Sequence, residues 1–160
     1  MPAHALLFDV DGTLVDSVDL HARAWQEAFA HFGKRIDFKA VRSQIGKGGD
    51  ELMKEFLSPA EMERRGEEIE EYRSKLYKRE YLHQVRAFPR VRELFQALLG
   101  CGLRLALASS AKGDELASYK KVAGIEDLID AETSGDDAEK SKPHPDIFQV
   151  ALKRLGPGID

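Results

Sequence analysis

Apolar residues along the chain keep two different rhythms, and the change between them marks its organisation. A continuous apolar run, Ala5-Leu6-Leu7-Phe8, reads as a short buried strand. From Leu20 the spacing turns helical: Leu20, Ala24 and Ala28, with Trp25, Phe29 and Phe32, share one broad face, and Gly33 closes the helix. Further helices are predicted over 38–45, 49–57 and 59–83. In the last of these Met62, Ile69, Tyr72 and Leu76 keep the apolar spacing, while Glu67-Glu68-Ile69-Glu70-Glu71 supplies a solvated face. Nothing in residues 16–86 reads as a strand. From Phe88-Pro89 onward strand and helix alternate: a helix over 90–100, the strand Leu103-Arg104-Leu105-Ala106-Leu107-Ala108, a helix over 113–122 and a short strand over 127–131. A final helix over 144–155 is ended by Gly156-Pro157.

Such alternation implies a parallel sheet wrapped by helices. The expected fold is therefore α/β, with a core formed by residues 1–15 and 87–160 and an all-helical insertion over 16–86. No internal repeat or low-complexity segment interrupts this plan.

The first strand delivers two carboxylates, in Asp9-Val10-Asp11-Gly12-Thr13. They fall at its C-terminal end, where α/β folds build their active sites. An aspartate there can attack phosphorus and form an aspartyl-phosphate. The second can protonate a leaving oxygen and then activate water. An Asp-x-Asp-Gly string also occurs in calcium-binding EF-hand loops, but those place glycine sixth and glutamate twelfth, whereas here Gly12 is fourth and Leu20 twelfth. Calcium is thereby excluded. After the second core strand, Ser109-Ser110-Ala111 is expected to run straight into a helix, so that hydroxyls and backbone N–H groups meet at a positive helix end and cradle a phosphate. Serines in that position also serve as plain helix caps. In Lys140-Ser141-Lys142-Pro143-His144-Pro145-Asp146, Lys142 precedes a proline expected to start the last helix, and its ammonium can offset the charge of nucleophile and phosphate together.

Composition narrows the partners. Twenty-four basic against twenty-eight acidic residues give a net charge of −4, with no basic stripe, so nucleic acid is not expected. The single cysteine, Cys101, rules out an internal disulfide framework, and Met1-Pro2-Ala3-His4 lacks the features of a signal peptide; a cytoplasmic protein is expected. No apolar run approaches the roughly 18 residues of a membrane span. His31, His83 and His144 show no metal-ligand pairing.

Three motifs in order, DVDGT at 9–13, ALASS at 106–110 and KPHPD at 142–146, resemble those of the haloacid dehalogenase superfamily, and the resemblance spans essentially the whole chain. It implies a Rossmann-like core, Mg²⁺ and phosphoryl transfer, with Asp9 as nucleophile and Asp11 as acid and base. Ser109 and Lys142 would hold the phosphate, assisted by Gly12, Thr13 and Ser110, and Asp9 and Asp11 would hold the metal. Dehalogenases and phosphonate hydrolases of this superfamily lack the second aspartate, so Asp11 points to phosphate esters. The helical insertion resembles the family's small cap, which closes over substrate and sets specificity. Within it His21, Ala24 and Trp25 resemble the first cap helix of β-phosphoglucomutases, where a similar His-x-x-Ala-Trp lies twelve residues after the nucleophile, as here. The cap loop Ile45-Gly46-Lys47-Gly48-Gly49-Asp50-Glu51 lacks the arginine with which those mutases grip a distal phosphate. Lys47, between glycines that let the loop bend close to a ligand, is the candidate substrate-selecting contact, and His21 either a gating contact or an ordinary polar helix residue.

The superfamily also carries an acidic metal motif on a fourth core strand. This chain ends at Asp160, before such a strand, so a chain cut short of further βα units is expected, with Mg²⁺ held only by Asp9 and the Asp11 carbonyl. Asp136 and Asp137 are expected at the mouth of the site, not as ligands. The leading expectation is a monomeric, Mg²⁺-dependent phosphatase for a small phosphorylated metabolite such as a sugar phosphate or phosphoglycolate. A β-phosphoglucomutase-like isomerase, or an incomplete fragment of either, remains the alternative.

Overall fold

The computed structural model describes residues 4–157, so Met1-Pro2-Ala3 and the chain end at Asp160 lie outside the described residues. In chain order the elements are β1 (Ala5–Phe8), β2 (Val15–Asp16), α1 (Val18–His31), α2 (Phe38–Arg42), α3 (Gly49–Lys54), α4 (Pro59–Leu76), β3 (Arg86–Ala87), α5 (Val91–Gly100), β4 (Arg104–Ala108), α6 (Gly113–Ala123), β5 (Ala131–Thr133) and α7 (Asp146–Leu155). They make two compact units, one drawn from Met1–Asp16 and Arg86–Asp160, the other from Ser17–Val85.

The first unit is built on a parallel sheet in the order β1-β4-β5. Ala5 faces Arg104 and Phe8 faces Leu107 across one ladder; Ala106 faces Ala131 and Ala108 faces Thr133 across the other. The central strand is buried from Leu105 to Ala108, as a parallel strand covered on both faces requires. Its alanines leave room for α7, whose Ile147, Ala151 and Leu155, spaced one helical turn apart, pack against Ala106 and Ala108. This is the Rossmann-like α/β arrangement.

Two details depart from the sequence-based expectation. The third core strand lies at Ala131–Thr133 and not at 127–131. Ile125 is spent on a turn, with Leu128 N–H donating to its carbonyl, and the ladder opens only at Asp130, whose backbone N–H donates to Leu105 O at 2.9 Å while its carboxylate takes the Leu105 N–H at 2.8 Å. Residues 16 and 86, read as strand-free, instead take part in a two-stranded antiparallel ribbon, Val15 opposite Ala87 and Asp16 opposite Arg86. The ribbon ties together the points where the chain leaves this unit and returns to it.

The second unit is helical. Ala22, Trp25, Ala28 and Phe29 of α1 pack with Val41, Leu52, Met53 and Ile69 in one core. A capping box, Ser58 with Glu61, starts α4, and Lys34 holds the same Glu61 at 2.9 Å. The helix expected over 59–83 ends as a regular helix at Leu76 and continues as a π turn, Tyr77–Tyr81, and a 3₁₀ turn, Leu82–Gln84. The widened turn accompanies the full burial of Tyr77, which stacks on His21 at 4.1 Å between ring centroids. The helices expected over 38–45 and 49–57 are each shorter, ending at Arg42 and Lys54. Among the described residues no helix is long and apolar enough to cross a membrane.

Candidate active site

Phe8, the last residue of β1, packs on Phe95 of α5 and anchors the strand end, so that Asp9 emerges at the rim of the sheet. The chain then winds tightly around one carbonyl: the N–H groups of Thr13, Leu14 and Val15 all donate to Val10 O, at 3.1, 2.8 and 3.2 Å. Gly12 sits at φ +74 and donates to Val15 O at 2.9 Å, a backbone turn that disfavours a side chain. This winding returns Thr13 to the start of the loop, where its hydroxyl donates to Asp9 Oδ2 at 3.2 Å. Asp11, half-buried, bridges to Val15 in the same turn.

The other oxygen of Asp9 is met from far along the chain. Lys142 Nζ donates to Asp9 Oδ1 and to the carbonyl of Ala108, the latter at 2.9 Å. The lysine side chain is only 12 % exposed, whereas that of Asp9 is 39 % exposed. A desolvated cation is thus held against an accessible carboxylate, a charge-assisted pair that leaves Asp9 open to a ligand. Lys142 does not precede the first helical turn: Phe148 and Gln149 N–H donate to Pro145 O, so α7 starts after Pro145, and Lys142 lies in a turn closed by His144 N–H on Ser141 O. Pro143 therefore does not begin the helix.

Ser109, wholly buried, extends the β4–β5 ladder, its N–H donating to Thr133 O at 3.0 Å. Its hydroxyl accepts from Ala111 N–H at 3.0 Å, and α6 begins only at Gly113, whose N–H is taken by Asp136 Oδ2. The expected direct run from serine into helix is thus a three-residue turn, with part of its N–H supply already used. Ser110 keeps its chemistry in reserve: its hydroxyl is buried and has no hydrogen-bond partner among the described residues. Asp136 and Asp137 are structural acids. Asp137 accepts from Ser134 N–H and forms a two-point pair with Arg154. That guanidinium first, and then Ser134, hold its carboxyl down at about 2.

His21 and Lys47 belong to the helical unit. His21 is 5 % exposed, with Nδ1 lying 3.2 Å from Arg73 Nη2, so it is no surface polar residue. Arg73 also covers the Trp25 ring at 5.0 Å. Lys47 is paired with Glu55 at 2.8 Å. Two contacts carried no sequence signal: Arg73 on His21, which are joined across 52 residues, and the Phe148 ring, 5.2 Å from Lys142 Nζ.

Among the described residues no group of three or more His, Cys, Asp or Glu converges to hold a metal. The oxygen donors of the first loop, the Asp9 carboxylate and the Asp11 carbonyl, are nevertheless of the hard type that Mg²⁺ takes. That ion commonly completes its shell with water and substrate phosphate. The residues fit Mg²⁺ as a partial set.

A comparison with known families matches residues 6–158 to the haloacid dehalogenase-like hydrolases. The protein CbbY of Rhodobacter capsulatus is 32% identical over 168 residues, covering 98% of this chain and 73% of its own length. A phosphoglycolate phosphatase of Yersinia pestis is 33% identical over 154 residues, covering 93% of this chain and 66% of its own. Among solved structures, a hydrolase from Pseudomonas syringae superposes with a TM-score of 0.84 at 29% identity, over 97% of this chain and 71% of that one. The chain thus spans from about two thirds to three quarters of the length of these relatives. With the family match running from β1 through α7, the chain belongs to the haloacid dehalogenase-like hydrolase family.

Proposed function

We propose that this chain carries the catalytic aspartate of a phosphatase for small phosphorylated metabolites, of the phosphoglycolate or sugar phosphate type. The observation that supports it best is the accessible Asp9 carboxylate, held by the Thr13 hydroxyl on one oxygen and the Lys142 ammonium on the other. An Asp9 oxygen attacks phosphorus, forming an acyl phosphate as the ester P–O bond breaks, and Asp11 gives its proton to the leaving alkoxide. Asp11 then takes a proton from water; the resulting hydroxide attacks phosphorus, releasing phosphate and restoring Asp9. Lys142 neutralises the phosphoryl oxygens throughout, and the Ser109–Ala111 turn with the Ser110 hydroxyl supplies neutral donors. Bound to Asp9 and the Asp11 carbonyl, Mg²⁺ would supply further charge stabilisation at the phosphoryl group. The helical unit serves as the cap, His21 and Lys47 being its candidate contacts to the organic part of the substrate. The protein is taken as a monomer and placed in the cytoplasm, a reducing compartment that suits the lone exposed thiol of Cys101.

The test is inorganic phosphate release by the full-length protein from phosphoglycolate and a panel of sugar phosphates, with and without Mg²⁺. Asp9→Asn is expected to cut turnover by roughly 10³-fold or more, the scale of losing a covalent nucleophile, with an unchanged far-UV spectrum. Retained turnover in that variant overturns the mechanism. Glucose 6-phosphate forming from β-glucose 1-phosphate faster than free phosphate would make the protein an isomerase instead.

A further inference from the structure

We propose that Phe148 is a positioning residue for Lys142, holding the ammonium through the face of its ring. This rests on the phosphatase reading above. Lys142 is a compact charge on a flexible four-carbon stem, and such a group is useful at a phosphoryl centre only if its direction is fixed. The structure fixes it with three partners of different kinds: the Asp9 carboxylate, the Ala108 carbonyl at 2.9 Å and the Phe148 ring at 5.2 Å from Nζ. With the side chain only 12 % exposed, little water competes with the ring for the cation. The ring itself is anchored: Phe148 sits in the first turn of α7 and packs on the buried cluster of Ala106, Ala108, Ile147, Ala151 and Leu155.

The three partners do not behave alike during turnover. Once an Asp9 oxygen is bonded to phosphorus, the carboxylate has become a neutral acyl group and no longer holds Lys142 by charge. The Ala108 carbonyl and the Phe148 ring are unchanged by the chemistry. They keep the ammonium beside the phosphoryl group while its first partner is occupied.

The experiment replaces Phe148 in the full-length protein with mono-, di- and trifluorinated phenylalanine, which drain the negative ring face while barely changing its size. A stepwise fall in kcat/KM, reaching about 3- to 10-fold, is expected, with Phe148→Trp close to the parent and Phe148→Leu at least as impaired as the trifluoro ring. A space-filling role predicts no dependence on fluorination, and a flat series overturns the proposal. A second series reads the affinity for inorganic phosphate, which needs no turnover. If the parent binds phosphate and the affinity falls with fluorination, the positioning role stands even where no ester is hydrolysed, and only the phosphatase reading fails. If affinity is indifferent to fluorination, the positioning role fails whatever the activity.

Discussion

Asp9 has two oxygens with unlike partners, a hydroxyl on one and a cation on the other, and this division makes its removal and that of Lys142 different experiments. Lys142→Met keeps an unbranched stem of similar length but deletes the charge. Phosphoryl transfer depends on neutralising the transferred group, so kcat/KM is expected to fall by about 10²-fold or more. Stability is a separate matter. The carboxylate left behind is 39 % exposed and can be solvated, so the melting temperature should move by no more than about 4 °C, the shift that roughly 1 kcal/mol produces in a chain of this size. Lys142→Arg is not expected to rescue activity, because a planar fork cannot occupy the point between one carboxylate, one carbonyl and a ring face. Thermal melts beside phosphate-release assays check both parts; a rate loss that merely tracks unfolding would refute the catalytic role. At this scale the aspartates were legible because they sit two residues apart on one loop. Lys142, 133 residues away, was expected beside the nucleophile from its place in the third motif and not from any local spacing, whereas the Ala108 carbonyl and the Phe148 ring that also hold its ammonium left no mark in the sequence.

Among the elements, the helical segments with strong apolar periodicity were readable, and the chain follows them in α1, α5 and α7. The misses have local causes. Apolar residues before β5 pack a turn, α4 yields to a π turn where Tyr77 is drawn inward, and α7 starts later than Pro143 suggested because the preceding turn closes on itself, whereas α6 starts at Gly113 as its expected span over 113–122 has it. The connection from β4 into α6 is braced by the 134–137 turn: Gly135 N–H donates to Ala111 O at 2.8 Å and Asp136 caps Gly113. Gly135 is required there by proximity, since a Cβ would lie 2.5 Å from the Ser110 carbonyl oxygen and 3.4 Å from that of Ala111, both backbone atoms. Gly135→Ala must therefore push the 109–111 turn. A loss of about 1–3 kcal/mol, the usual cost of overpacking, is expected in chemical denaturation, together with weaker phosphate binding. Gly113→Ala, whose Cβ would meet only the Asp136 carboxylate at 3.7 Å, is the matched control and should leave phosphate binding within about twofold of the parent.

At the scale of the whole molecule, the plan of one α/β unit interrupted by a helical one follows from where the strand pattern stops and resumes, because a mid-chain insertion leaves the flanking pattern intact. What composition could not tell is how the charges are spent. Both units place acidic residues against fixed donors. In the helical unit Glu61 is held down at about 2 by the Ser58 backbone N–H and then by Lys34. In the α/β unit Asp127 and Asp137 are brought to about 2 by the guanidinium groups of Arg92 and Arg154 respectively. All three carboxyls titrate lower when folded than their ordinary values of 3.8 to 4.5, so the folded state binds fewer protons and gains stability above that range. That contribution is complete above about pH 5 and is lost as the pH falls from about 4.5 towards 2. The melting temperature should be nearly level from pH 7 to 5 and then drop. Most of these pairs face solvent, so the drop is shallow and shrinks in 0.5 M salt. Asp137 is the most enclosed of the three, and Asp137→Asn should lower the melting temperature at pH 7 by roughly 2–4 °C, about 1 kcal/mol, while bringing it closer to the parent at pH 3. A difference that stays constant across that window would mean that the two-point pair with Arg154 contributes nothing through its charge.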